Sequence, residues 1–301
     1  MPLVSVCIPT YDRPQVLCRA LDSVLRQTLQ DFEIVVSFDA GPCDYAELIR
    51  NRYPDPRVRT VVQPSNLGIL ENFNACIGAS SGAIVKPLCD DDELAPRCLE
   101  YAVEALHAAE FVSIDNVLWD GLGAYEWPET GPVEWIVRRR GLSPASLRVD
   151  CISPTNIAFT RRVWREAGPY RRAYGNSFDY DFTMRVYAEF DSVRIATPLC
   201  LFRRWELSET YKNTQPCEIL CQLAAILEEL AARYPEFRGN VSSRALRVGA
   251  DLVVGFFVEA RHGRYHWREL REGLHRVLRT QWRLLGGHRR AAAKADVSSD
   301  Q

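Results

Sequence analysis

The sequence of 301 residues lacks the glycine-rich loops that many parallel-sheet proteins use to bind phosphates. No Gly-x-Gly-x-x-Gly follows the first predicted strand, and no Gly-Lys-Ser or Gly-Lys-Thr occurs in the chain. Gly121 and Gly123 lack a third glycine at the required spacing. These absences exclude a Rossmann-type dinucleotide site and a P-loop, so any bound nucleotide needs another group to neutralise its phosphates.

Long apolar runs are also missing. No window reaches the ~18 consecutive apolar residues that a membrane span requires, and no basic leader precedes the first apolar run. The ten cysteines form no Cys-x-x-Cys pair and have no histidines at zinc-site spacing, which indicates free thiols in a reducing compartment. We therefore expect a cytoplasmic protein.

Charge is unevenly spread along the chain. Residues 261–301 hold ten Lys and Arg against four Asp and Glu, a net charge of +6, so residues 1–260 carry −8 within the formal total of −2. An acidic body argues against nucleic-acid binding. The basic stretch 261–290 has helical periodicity and three interpretations: peripheral contact with an anionic membrane surface, docking of an acidic carrier protein, or a C-terminal helix with solvated arginines.

Strand-like and helix-like patterns alternate over the first 115 residues. The predicted strands are 3–9, 32–38, 58–62, 83–88 and 111–114, and the predicted helices are 14–29, 45–50, 70–79 and 96–109. Because the strands are almost continuously apolar, they indicate a mostly parallel sheet that is covered by helices on both faces. Further strands are predicted at 151–160 and 193–202, with helices at 161–166 and 178–188. From residue 215 the pattern is purely helical, so the fold class is α/β with a C-terminal all-helical extension.

Acidic residues follow two of the predicted strands. Asp39 comes directly after strand 32–38, and Asp90-Asp91-Asp92 follows strand 83–88. Ligands of such sheets bind beyond the carboxyl ends of the strands. Adjacent carboxylates repel one another without a cation, and oxygen ligands suit Mg²⁺ or Mn²⁺, whose coordination a substrate phosphate completes. The triplet predicts a divalent-cation site, with charge stabilisation of the following helix as the alternative.

Several segments resemble the bacterial family 2 glycosyltransferases, which have the GT-A fold. They are Val4-Ser5-Val6-Cys7-Ile8-Pro9-Thr10-Tyr11-Asp12-Arg13-Pro14, residues 20–29 and 31–37, and Asn66-Leu67-Gly68 with Asn74. The resemblance is closest over 3–110, weaker over 151–210 and absent beyond about 215. It implies an inverting, metal-dependent enzyme that transfers a sugar from a UDP-sugar, such as UDP-N-acetylglucosamine or UDP-glucose.

The resemblance also implies a set of donor contacts and a cofactor, Mn²⁺ or Mg²⁺. The implied donor-binding residues are Pro9, Thr10, Tyr11, Asp39, Asn66, Asp90, Arg203 and Arg204. Asp39 would accept a hydrogen bond from uracil, without the usual acidic neighbour because Phe38 replaces it, and the two arginines are candidates for the pyrophosphate. Many members read Asp-x-Asp-Asp, which places Cys89 at the leading position and Asp91 at the metal. A plain Asp-x-Asp register makes Asp92 the ligand, and we favour Asp91.

Two later segments carry the implied catalytic and acceptor residues. Residues 178–185 resemble the family's Glu-Asp motif, which makes Asp179 the general base and Asp181 the second candidate. Residues 201–208 resemble its Tyr-Arg-x-His-x-x-Ser, with Trp205 in place of the histidine. Trp205 and Trp127 then offer aromatic faces to an acceptor, with simple packing as the alternative.

The resemblance divides the chain by function. We expect a nucleotide-sugar-binding half at 1–115, an acceptor-binding and catalytic half at 116–214, a helical extension at 215–290 and a disordered tail at 291–301. The expected acceptor is soluble, a natural-product intermediate or a small molecule on a carrier protein. The alternatives are transfer to a polysaccharide or lipid-linked saccharide, a sugar nucleotidyltransferase, and an inactive nucleotide-sugar-binding protein.

Overall fold

The protein is represented by a computed structural model that describes residues 1–40, 45–120, 123–129, 131–143, 146–148, 152–205 and 216–244. The chain forms two compact units. The first comprises Met1–Arg140, Cys151–Arg172 and Glu189–Lys212, and the second comprises Gly141–Asp150, Ala173–Ala188 and Asn213–Gln301. The predicted division at 1–115 and 116–214 separates regions by function, not by compact packing, and it stays a prediction. The predictions for 261–290 and 291–301 concern residues outside the described ranges.

The first unit is built on one large sheet. Its described strands are β1 Val4–Thr10, β2 Phe32–Phe38, β3 Val58–Val62, β4 Ile84–Pro87, β5 Glu93–Leu94, β6 Phe111–Asp120, β7 Trp135–Arg138, β8 Ile157–Thr160 and β9 Ser192–Arg204. Their order across the sheet is β3-β2-β1-β4-β8-β6-β9-β5, with β7 also paired to β9. Its described helices are α1 Pro14–Leu25, α2 Tyr45–Arg52, α3 Ile69–Gly78, α4 Cys98–Leu106 and α5 Arg161–Ala167.

The prediction of an α/β fold is confirmed. The sheet as a whole contains both parallel and antiparallel strand pairs. The pairs β1–β2, β1–β4, β2–β3 and β6–β9 are parallel, as the alternating pattern predicts. Strand β8 is antiparallel to both β4 and β6, and β5 and β7 are antiparallel to β9. The predicted strand at 111–114 therefore does not lie beside β4, because β8 is inserted between them.

Helices cover both faces of this sheet. All seven residues of β1 and all seven of β2 are buried, because helices pack on each side of these apolar runs. One face of β1 joins the core cluster that contains Leu17 and Leu21 of α1 and Leu99 of α4. On the other face, α3 packs against β1 and β2 through its buried residues Phe73 and Cys76.

The short strand β5 shapes the end of the sheet where the acidic triplet lies. Glu93 pairs with Leu201 and Leu94 with Cys200, so the chain after the triplet is attached to β9. Helix α4 begins at Cys98 rather than at the predicted 96. Two residues cannot show a strand periodicity, which is why the sequence did not predict β5.

The second unit includes two described α-helices, α6 Phe178–Glu189 and α7 Pro216–Arg233. They agree with the predicted helix at 178–188 and with the change to helical periodicity at 215. Gln222 Oε1 of α7 accepts hydrogen bonds from the backbone nitrogen and the hydroxyl of Ser177, at 3.1 and 2.9 Å, which fixes the start of α6. None of the helices in the described ranges is both long enough and apolar enough to cross a bilayer.

Candidate active site

The acidic triplet lies between β4 and β5, and its first carboxylate is fully engaged by the chain around β1. Asp90 is 1% exposed. Its Oδ2 accepts a hydrogen bond from Thr10 Oγ1 at 2.6 Å, and its Oδ1 accepts one from Arg13 Nη2 at 2.6 Å. Thr10 ends β1 and Arg13 precedes α1, so Asp90 holds the β1–α1 loop against the triplet.

The third carboxylate is engaged from the opposite side. Asp92 is 1% exposed. Its Oδ2 accepts from Thr155 Oγ1 at 2.5 Å and its Oδ1 accepts from the backbone nitrogen of Arg203 at 2.9 Å. Burial raises the pKa of Asp92 well above its usual value and the Asp91 carboxylate raises it further, while these hydrogen bonds oppose the shift. Asp92 thus anchors the triplet to the turn before β8 and to β9.

The hydrogen bonds that the described residues donate to the middle carboxylate all reach one of its two oxygens. Asp91 Oδ2 accepts from Trp205 Nε1 at 2.9 Å and from Arg13 Nη1 at 3.3 Å. Across the described residues, no hydrogen bond reaches Asp91 Oδ1. Asp91 therefore keeps one carboxylate oxygen available for a ligand.

The side chains around Asp91 offer ligand atoms that fit a divalent cation. One ligand atom each of Cys89, Asp91 and Asp92 lies within 4.8 Å of the others. Burial, and then the neighbouring Asp92 and Asp91 carboxylates, raise the pKa of the Cys89 thiol well above its usual value, which opposes a thiolate ligand. Since both Asp92 oxygens are hydrogen-bonded, the unbonded oxygen of Asp91 is the best-placed ligand for Mg²⁺ or Mn²⁺. The register that makes Asp91 the ligand stays a prediction, which this geometry favours.

The two arginines at the end of β9 point in different directions. Arg203 is 1% exposed. Its Nε donates to the Asp91 carbonyl at 3.1 Å, its Nη1 to the Gly123 carbonyl at 3.1 Å, and its Nη2 to Glu93 Oε1 at 2.5 Å. Arg204 is largely exposed and pairs with Asp120 at 2.9 Å. Their contact with a pyrophosphate stays a prediction, and the structure places the Arg203 guanidinium within the protein.

Asp39, the predicted base-recognition residue, directly follows β2, and the donor candidate Asn66 lies between β3 and α3. Asp39 Oδ1 accepts from the Leu67 nitrogen at 2.6 Å and its Oδ2 from the Gly68 nitrogen at 2.9 Å. Asn66 Oδ1 accepts from the same Gly68 nitrogen at 3.0 Å. Gly68 has φ +79°, a conformation that favours glycine, and it caps α3. Asp39 and Asn66 thus shape the turn before α3. The contact of Asp39 with uracil and the donor-binding role of Asn66 stay predictions.

The remaining donor candidates lie on and after β1. Pro9 is buried in β1 beside Ser37 of β2, whereas Tyr11 is 45% exposed. Trp127 belongs to a row of partly buried rings with Tyr125 and Trp119, whose neighbouring centroids are 4.9 and 5.1 Å apart. Tyr11 is thus accessible at the surface of the first unit, whereas Trp127 is partly buried and packs against the apolar core.

The candidate bases lie on α6 in the second unit. Burial raises the pKa of Asp179 to about 7, against the opposing effect of backbone N–H donors. Asp181 is completely buried, and its Oδ2 accepts from Arg185 at 3.0 Å. A carboxyl with a pKa near 7 suits general-base catalysis at neutral pH. Asp179 therefore has the better properties of the two.

Sequence reasoning did not assign Thr155 or Arg13 to the site. Thr155 is fully buried: besides its bond to Asp92, its hydroxyl accepts from the Cys89 nitrogen at 3.0 Å. Its carbonyl accepts from Lys86 Nζ and from Cys200 Sγ. Arg13 lies in the quoted N-terminal motif, which was the available signal; nothing local marks Thr155, which is 63 residues from Asp92.

Comparisons with known proteins identify the family and the fold of this chain. The family model described as Glycosyl transferase family 2 matches residues 5–185. The chondroitin synthase of Pasteurella multocida (strain Pm70) is 30% identical over 195 residues, which are 62% of this chain and 19% of that protein. The chain thus matches only about a fifth of that relative's length.

Two solved structures share the fold. S. aureus TarS 1-349, in complex with UDP-GlcNAc, has a TM-score of 0.63 at 14% identity, over 96% of this chain and 92% of that chain. The mannosyltransferase PcManGT from Pyrobaculum calidifontis, in complex with GDP-Man and Mn²⁺, has a TM-score of 0.57 at 16% identity, over 94% and 87%. At these identities the likeness shows the fold, a mixed α/β structure of GT-A type.

Proposed function

Because the chain belongs to glycosyl transferase family 2, we propose that it is an inverting, metal-dependent enzyme that transfers a sugar from a UDP-sugar to an acceptor hydroxyl. The observation that carries the proposal is the asymmetric hydrogen bonding of Asp91, which leaves Oδ1 for a cation at the carboxyl end of β4. The UDP-GlcNAc complex of TarS supports UDP-N-acetylglucosamine as the donor, with UDP-glucose as the second choice.

Asp91 would hold the cation, Mn²⁺ or Mg²⁺. When bound, the cation supplies positive charge that stabilises the departing diphosphate. The Mn²⁺ in the PcManGT complex supports this assignment. Thr10 and Arg13 hold Asp90 while Thr155 and the Arg203 backbone hold Asp92, as given above, so the carboxylate between them is fixed before the donor arrives.

Asp179 is the proposed general base. Its carboxyl, with a pKa of about 7, would be about half ionised at neutral pH and so able to take the proton of the attacking hydroxyl. Attack from the side opposite the leaving group gives inversion in one displacement. Asp181 is the weaker candidate because Arg185 already holds its carboxylate inside the protein.

Two acceptor classes are proposed, each with its own support. The clustered rings of Trp119, Tyr125 and Trp127 favour a soluble acceptor with a sugar or aromatic ring, since such rings stack on aromatic faces. The chondroitin synthase relative favours a growing polysaccharide. Family membership removes the basis for the nucleotidyltransferase alternative.

A donor panel tests the proposal. Purified protein is given UDP-, GDP- and TDP-sugars with Mn²⁺ and either small glycosides or an oligosaccharide, and release of the nucleoside diphosphate is measured. We expect release from a UDP-sugar, loss of release with EDTA, and a product of inverted configuration by NMR. Asp91→Asn should lose the activity, while Asp55→Asn, the same change at a carboxylate before β3, should keep it.

Release that is unaffected by EDTA would refute the metal assignment. A product of retained configuration would refute single displacement. Absence of release from every nucleotide-sugar, with UDP still bound, would favour the inactive binding protein.

A further inference from the structure

Trp205 makes a direct contact with the proposed metal ligand. Its indole Nε1 donates to Asp91 Oδ2 at 2.9 Å, and Arg13 Nη1 is 3.3 Å from the same oxygen. Both donors thus converge on one carboxylate oxygen. Asp91 is 9% exposed, so these bonds are largely shielded from competing water.

The end of β9 explains why this contact forms. Successive side chains of an extended chain alternate in direction, so residues 203 and 205 share one side. Arg203 contacts the Asp91 carbonyl at 3.1 Å and Trp205 contacts the Asp91 carboxylate, whereas Arg204 bonds to exposed Asp120. The backbone nitrogen of Arg203 also bonds to Asp92 Oδ1, which fixes the strand just before Trp205. The indole is therefore directed at Asp91 by two attachments of β9 to the triplet.

The chemistry of the indole limits what it can do there. Its nitrogen is a donor only, so Trp205 cannot ligate a cation. A hydrogen bond to an ionised carboxylate is stronger than one between neutral groups, so it can fix the orientation of that carboxylate. With Oδ2 held, a cation at Asp91 would be bound through Oδ1.

We propose that Trp205 is a positioning residue that fixes the Asp91 carboxylate for single-oxygen coordination of the divalent cation. This inference rests on the proposed function, because it presupposes the cation site at Asp91. Outer-shell partners of metal ligands change metal affinity by roughly 10–100-fold when removed. Trp205→Phe keeps an aromatic ring but removes the donor, so it should weaken the cation without removing the ligand.

The test measures Mn²⁺ binding in the presence of UDP, from the electron paramagnetic resonance signal of free Mn²⁺. We expect the Kd for Mn²⁺ to rise by about tenfold or more in Trp205→Phe. Trp164→Phe is the matched control, since Trp164 lies on α5 and stacks on Phe159; its Kd should equal that of the wild type. The Mn²⁺ concentration for half-maximal transfer should rise in Trp205→Phe, with kcat at saturating Mn²⁺ within about twofold of the wild type.

The outcomes separate the inference from the function on which it rests. If wild-type protein binds no Mn²⁺ with UDP present, the proposed metal site is wrong. If the wild type binds Mn²⁺ and Trp205→Phe binds it equally well, the site stands and the positioning role is refuted. A lower kcat at saturating Mn²⁺ with an unchanged Kd would also refute it, because that pattern indicates a role in packing or in acceptor contact.

Discussion

The ionisation of Asp179 gives a quantitative prediction for the pH dependence of sugar transfer. Asp179 is partly buried, and this burial raises its pKa from 3.8 to about 7. Only the ionised carboxylate accepts a proton, so activity should rise with pH through about 7. At pH 5 about 1% of the molecules would carry the ionised base, and kcat/KM should fall about tenfold per pH unit below 6.

The perturbation is Asp179→Asn, and the assay is UDP release from pH 5 to 9. The variant should bind the donor normally, and its kcat should be about 10²–10⁴-fold lower. Its activity should no longer rise with pH near 7. Asp191→Asn is the control, because Asp191 is a surface carboxylate paired with Arg139. The pH dependence of its activity should equal that of the wild type. The assignment of the base would be refuted if the activity of the wild type rose near pH 4 instead of 7, or if the rise near pH 7 persisted in Asp179→Asn.

Three further predictions concern buried charges. Burial raises the pKa of Glu33, but its hydrogen bonds outweigh this effect and hold the pKa at about 2. The ionised carboxylate therefore stabilises the folded protein fully above pH 4.5, and this stabilisation, about 3 kcal/mol of unfolding free energy, is lost as the pH falls towards 2. Urea unfolding of the wild type and of Glu33→Gln across that pH range measures it. Arg203→Met leaves Glu93 buried without its partner and should lower stability by about 3–5 kcal/mol, seen as a lower Tm. Asp181→Asn breaks the buried pair with Arg185 and should lower the stability of the protein by a similar amount. The activity of the folded fraction should still rise with pH near 7.

The parts of the fold that depend on periodicity could be predicted. Strands at 32–38 and 58–62 agree with the structure to the residue. The continuous apolar run of β2 marks a strand buried on both faces, whereas β3 is a partly exposed strand at the edge of the sheet. Strand β8 was predicted only within 151–160, and its antiparallel insertion between β4 and β6 was not. Periodicity indicates which residues are buried but not which strands are neighbours.

The site was predictable to a lesser degree. The placement of Asp90–Asp92 at the end of β4 follows from the end of an apolar run before three acidic residues. Which carboxylate is engaged depends on Thr155 and Arg203, which are 63 and 111 residues away from Asp92 in sequence. The resemblance made Arg203 a candidate for contact with the diphosphate, and no local sequence signal indicates its burial, which results from its position on β9 against the triplet.

The central claim is that a cation held by Asp91 links this chain to the diphosphate of its donor, and calorimetric titration with UDP tests it most directly. We predict that UDP binds wild-type protein in Mn²⁺, and that EDTA or Asp91→Asn weakens this binding by more than about tenfold, while Asp55→Asn does not. Equal UDP affinity with Mn²⁺, with EDTA and in Asp91→Asn would contradict the account.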